Sequence, residues 1–222
     1  MWRIGKVVLV VLVLMMTLAR PVLANGPIVL DSNMGEWDGH PYVEDPPGDA
    51  DKENDIRRLY FDTNPNEETL YFMLERWASD NTKLEISLFL DTNNNGNYGE
   101  PGDRRIFVRY QPKNQGSQVD VEVYDGTGGF IAQIAHNADW GESRQEGGLR
   151  VEWGVPFDVL GIIPGQTMLM FAATTHNQHP DRIEDTTQEV QWSPANALGW
   201  PLIGVVALSG ALLLARQRRR LS

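Results

Sequence analysis

Along the middle of the chain apolar and polar residues alternate with a period of two, and a helical period is nowhere sustained. Between Leu84 and Asp91, the residues Leu84, Ile86, Leu88 and Leu90 share one face, while Glu85, Ser87 and Asp91 share the other. That is the pattern of a strand with one side on a core and the other mostly in water. The same alternation turns Val119, Val121 and Val123 inward against Asp120 and Glu122, and Val151, Trp153 and Val155 inward against Arg150 and Glu152. Trp153 is thereby a core residue. Further strands are predicted at Ile56 to Asp62, Thr69 to Arg76, Arg105 to Tyr110, Phe130 to Ala135, Met168 to Thr175 and Glu189 to Trp192, with a short helical turn over Phe157 to Leu160 after Pro156. Asn, Gly, Asp and Pro punctuate these segments, as they do in all-β domains. About nine strands suffice for two packed sheets, so the predicted fold is all-β, a two-sheet antiparallel β-sandwich of immunoglobulin-like or jelly-roll type.

Both ends break the pattern. Arg3 and Lys6 precede an apolar run from Val7 to Met16, and Val22-Leu23-Ala24 supplies a small-residue cleavage signal before Asn25. That run is short for a membrane span, so residues 1–24 read as a signal peptide, with an uncleaved anchor as the alternative. Leu198 to Ala215 carries no charge, and as a helix at about 1.5 Å per residue it reaches roughly 27 Å, just enough to cross a hydrocarbon core. Arg216, Arg218, Arg219 and Arg220 follow and would hold the tail 216–222 in the cytoplasm. The sequence thus predicts an extracytoplasmic domain over 25–197 and one transmembrane helix over 198–215, in a single-pass protein of the cell membrane.

Charge sharpens the division. All 30 acidic residues lie between Asp31 and Glu189, so 25–197 keeps all of them with 12 of the 19 Lys and Arg, a net charge of −18 against −11 for the whole chain. Such a surface repels nucleic acid and anionic headgroups and suits cations or neutral partners. Roughly 170 residues without cysteine fit one domain with a sizeable core and no disulfides.

The strongest local signal is Asp91-Thr92-Asn93-Asn94-Asn95-Gly96-Asn97, continuing to Glu100 and Asp103. It sets oxygen side chains at loop positions 1, 3 and 5 with glycine at 6, and a hard cation needs several oxygens around such a tight turn. The predicted Ca²⁺ ligands are Asp91, Asn93, Asn95, Asn97 through its carbonyl, and Asp103. A strand precedes the loop and position 12 is Gly102, so Asp103 or Glu100 must close the shell. A plain Asn-Gly hairpin turn accounts for the same residues, because Asn and Gly tolerate positive φ. A second acidic run, Glu44, Asp45, Asp49, Asp51, Glu53 and Asp55, lies in a Pro/Gly-rich stretch. It reads first as a solvated loop, with a further cation as the alternative.

Several short motifs occur together in order: Ile28-Val29-Leu30-Asp31, Gly35-Glu36-Trp37-Asp38-Gly39, Asp55-Ile56, Leu70-Tyr71-Phe72, Phe89-Leu90-Asp91 and Glu152-Trp153-Gly154-Val155-Pro156-Phe157. In this order they resemble the carbohydrate-binding module family 9 and DOMON-like group. The resemblance implies a β-sandwich that binds sugars, haem or related ligands, often with structural calcium. It supports the fold more than any ligand. Trp37 matches the Glu-Trp motif of that group, which implies a packing role.

Sugar binding requires exposed aromatic faces beside hydrogen-bonding groups. Trp140, in a polar loop with Glu142 and Arg144, is the first candidate, and Trp77, at a strand end, is the second. His176 and His179 stand three apart but on no helix, which argues against a paired transition-metal site. No nucleophile elbow, phosphate-binding glycine loop or zinc helix occurs in the sequence. The expected function is a non-enzymatic, surface-displayed module, stabilised by calcium, for glycan or cell-wall polysaccharide. Two alternatives stand beside it: a haem-binding domain using Met73, Met168, Met170 or His176, and a structural or protein-interaction domain of the envelope.

Overall fold

The computed structural model describes residues 26–31, 33–112, 118–138, 147–176 and 179–194. The predicted leader, span and tail lie outside these, as do Trp140, Glu142 and Arg144. Among the described residues no helix is long and apolar enough to cross a membrane.

The described chain is nearly all strand: β1 (Tyr42–Glu44), β2 (Ile56–Thr63), β3 (Thr69–Arg76), β4 (Leu84–Asp91), β5 (Arg104–Gln111), β6 (Gln118–Asp125), β7 (Phe130–Ala138), β8 (Arg150–Pro156), β9 (Met168–His176), β10 (His179–Thr186) and β11 (Val190–Trp192). A 3₁₀ turn, Met34–Trp37, and one helical turn, α1 (Phe157–Leu160), complete it. Two antiparallel sheets result, one ordered β1-β2-β3-β8 and the other β10-β9-β4-β5-β6-β7, with β11 also on β9. The inward rows of both sheets meet in one apolar core that includes Leu59, Phe61, Phe72 and Trp153 from the first and Leu88, Ile106, Val121 and Met170 from the second. Phe72 and Trp153 stack with centroids 5.6 Å apart across the β3–β8 pair.

The first sheet departs from the one-wet-face expectation. Its outer side carries a second apolar cluster, in which Ile28, Met34 and Trp37 of the N-terminal segment cover Met73, flanked by Tyr60 and Tyr71. Glu152, placed outward by the alternation, is buried beneath that segment. Its carboxylate accepts the Trp37 indole N–H at 2.8 Å and the Asp31 backbone N–H at 3.1 Å. A buried carboxylate needs such donors to offset its lost hydration, so Glu152 acts as the fastener for the N-terminal segment. The packing role implied for Trp37 is what the structure holds.

Two strands carry no readable pattern. β1 has only three residues, and β10 contains Pro180, Asp181, Arg182, Glu184 and Asp185. Among the described residues β10 pairs with β9 alone and lies at the sheet edge, where proline and charge are tolerated because one side makes no ladder. His176 and His179 are Cα partners across that hairpin.

Candidate functional site

The loop from Asp91 to Asp103 joins β4 to β5, neighbouring antiparallel strands whose register ends at Leu90 opposite Arg104. Asn94 and Gly96 take positive φ, 58° and 83°, which turns the chain back on itself. The turn chemistry and the cation spacing are therefore realised by the same backbone.

Asp91 and Asp103 flank the loop with both side chains fully buried. Oδ2 of Asp91 accepts the Gly96 N–H at 2.6 Å, while its Oδ1 is buried without a partner. Asp103 accepts the backbone N–H groups of Thr92 at 3.2 Å and Glu100 at 2.9 Å. Among the described residues neither carboxylate makes an ion pair. Two buried negative charges without a counter-ion are costly in low dielectric, and a bound cation would offset that cost.

Outside them, the half-buried Glu100 gathers amide donors from Asn93 at 2.7 Å, Asn95 at 3.2 Å and Asn97 at 3.1 Å. These donors hold the Glu100 carboxyl below its ordinary pKa. A half-turn of the Asn93 amide would present oxygen in place of nitrogen, whereas in Asn95 and Asn97 it would break the bonds that their Oδ1 atoms accept from the backbone N–H groups of Asn97 at 2.8 Å and Gly99 at 3.1 Å. Asp91, Glu100 and Asp103 do not place three carboxylate oxygens within 4.8 Å of one another, so most donors to an ion here would be amide, carbonyl and water oxygens. Fewer charged ligands mean weaker binding.

Residues distant in sequence hold the loop. Gln166 donates to the Thr92 carbonyl at 2.7 Å, and the Tyr98 hydroxyl donates to Glu189 at 2.8 Å. The Tyr98 hydroxyl is pushed up in pKa by burial, by that bond and by the charges of Asp91 and Asp103. Nothing in local spacing announces these tethers.

Trp77 follows β3 and is half-buried. Its indole N–H donates to the Asp45 carbonyl at 3.1 Å, and the Arg57 guanidinium lies 5.0 Å from its ring centroid. One face of this indole is therefore already engaged, and the side chain braces the acidic segment between β1 and β2. Trp77 and the Asp91 loop form no common site, since Trp77 sits at the opposite end of β3 and β4 from that loop. The methionines considered for haem divide between clusters: Met73 under the N-terminal segment, and Met168 and Met170 in the main core. No family model, no curated protein and no solved structure matches the chain.

Proposed function

We propose that this protein is an exported, calcium-stabilised β-sandwich that binds a neutral glycan or cell-wall polysaccharide, carried on the cell membrane by the segment 198–215. The observation that carries the calcium half is Asp91, a fully buried carboxylate with one oxygen unpartnered, beside buried Asp103. The glycan half is supported by the net acidity of 25–197, which disfavours polyanions, and by the resemblance to sugar-binding sandwiches. In this reading Trp140 supplies the stacking face, and Glu142 and Arg144 supply hydrogen bonds.

Calcium is tested by thermal unfolding. A ligand that binds only the folded state adds RT ln(1 + [L]/Kd), about 2.7 kcal/mol at about 100-fold excess over Kd, which raises Tm by several degrees. Asp91→Asn should lose the loop's share of that rise. A wild-type Tm that is the same in millimolar Ca²⁺ and in chelator would reduce the loop to a turn.

For the glycan, an array of neutral polysaccharides is to be probed with and without chelator. Trp140→Ala should weaken binding by on the order of 1 to 3 kcal/mol, the scale of one large apolar contact, while leaving Tm unchanged. Binding to no glycan on the array would sink this half of the reading, and a Soret band in the purified protein would replace it with haem.

A further inference from the structure

The segment between β1 and β2 is solvated at Glu44, Asp49 and Asp51, as its composition predicts, but it is not solvated throughout. Asp45 and Asp55, near its two ends, are buried, and so is Asn54. The chain returns to them far along the sequence: Asp185 of the edge strand β10 is also buried and accepts the Ile56 backbone N–H, 129 positions earlier, at 2.6 Å. One oxygen each of Asp45, Asp49 and Asp185 lies within 4.8 Å of the others. Asp49 is exposed while the other two are buried, so the cluster opens to water on the Asp49 side.

Hydrogen bonding accounts for only part of this cluster. Asp185 uses both oxygens on backbone N–H groups, those of Ile56 and Thr186, and Asp55 uses Oδ2 on Gly48 at 3.0 Å. Oδ2 of Asp45 and Oδ1 of Asp55 are buried with no partner, although Asp45 is only 3% exposed. Among the described residues none of these four aspartates makes an ion pair. Like charges gathered in low dielectric, with one buried oxygen of Asp45 and one of Asp55 unpartnered, carry a cost that a bound cation would offset.

We infer that Asp45, Asp49 and Asp185, with Asp55 beside them, form a second binding site for a hard divalent cation such as Ca²⁺. Oxygens bonded to one Ca²⁺ ion at about 2.4 Å stand at most about 4.8 Å apart, so the spacing of these three meets the upper limit for ligands of a single ion. The exposed side leaves room for the waters that complete a shell of six to eight oxygens. An ion here ties the β1–β2 connection of the first sheet to the edge strand of the second. The surroundings already brace that join: Trp77 bonds the Asp45 carbonyl and, through its own N–H, the Asp55 carbonyl at 3.1 Å, and Thr174 of β9 bonds the Asn54 carbonyl at 2.9 Å. The site is independent of the Asp91 loop.

The test uses the full chain in mild detergent, with calcium titrated by calorimetry and Tb³⁺ luminescence excited through the indole of Trp77. Asp91→Asn should still bind one ion and still sensitise Tb³⁺; adding Asp45→Asn should abolish both. In chelator, Asp45→Asn should melt at or above the wild-type temperature, because it removes repulsion and not an attraction. That result separates loss of a ligand from failure to fold. An Asp91→Asn protein that binds no Ca²⁺ overturns the second site and leaves the loop intact as the sole one. Binding lost with Asp45→Asn alone keeps the second site and removes the loop. Absence of Ca²⁺ binding to wild type ends both, and an Asp45→Asn variant that loses stability in chelator ends the second site.

Discussion

Trp153→Ala should lower the unfolding free energy by roughly 3 to 5 kcal/mol, the range for emptying a large aromatic site in a packed core. Trp153 is fully buried on β8, at the centre of the row formed with Val151 and Val155, and it stacks on Phe72 of the neighbouring strand. The cavity would open where the two sheets share their core, and neither backbone can collapse into it without breaking a ladder. Trp153→Phe should cost far less. The indole N–H is buried without a hydrogen-bond partner, so a phenyl ring loses area but also removes a donor whose burial costs about 1 to 3 kcal/mol. Urea unfolding checks both: the midpoint should fall far for alanine and little for phenylalanine, at constant slope. A wild-type midpoint for Trp153→Ala would mean that the inward face of β8 has been misassigned.

That strand phase was readable because its inward positions are all large and apolar. For β3, β4 and α1 the bounds read from the pattern coincide with those in the structure. Pairing was not readable. β3 lies beside β8, with Phe72 opposite Trp153, a long-range choice that no local alternation encodes. β10 escaped because an edge strand does not need the apolar alternation by which strands are recognised. The strand alone places Glu152 in water, because it cannot reveal that residues 115 and 121 positions earlier fold over it. The Asp91 loop was legible for the opposite reason: all its donors lie within thirteen consecutive residues. The Asp45 cluster needs Asp185, so composition showed only an acidic run and not the burial that gives it chemistry.

The same acidic segment depends on a second buried charge, and Arg76→Met should cost on the order of 3 kcal/mol or more, since each buried carbonyl left unpaired costs about 1 to 3 kcal/mol. Arg76 ends β3 with no exposed surface. Its guanidinium donates to the carbonyls of Gly148 at 3.0 Å, Glu53 at 2.8 Å and Asp80 at 2.5 Å. One planar fork thereby joins three separate loops, and burial lowers its pKa from the ordinary arginine value. Methionine keeps the apolar stem but satisfies none of the three carbonyls; losing the desolvated charge offsets part of this cost. Arg76→Lys should rescue little, because a single ammonium cannot span acceptors spread around a guanidinium plane. Gly148 is fixed by the same arrangement: its φ is +78°, and an added Cβ would sit 2.6 Å from the Asp80 carbonyl oxygen. Because Glu53 belongs to the segment that carries Asp45, Asp49 and Asp55, loosening its carbonyl should also weaken Ca²⁺ at the Asp45–Asp185 site while sparing the Asp91 loop. Urea unfolding and calcium titration of Arg76→Met, alone and with Asp91→Asn, measure the two effects. A wild-type midpoint would show that the three loops hold together without the guanidinium, and unchanged affinity in the Asp91→Asn background would uncouple Arg76 from the cation site.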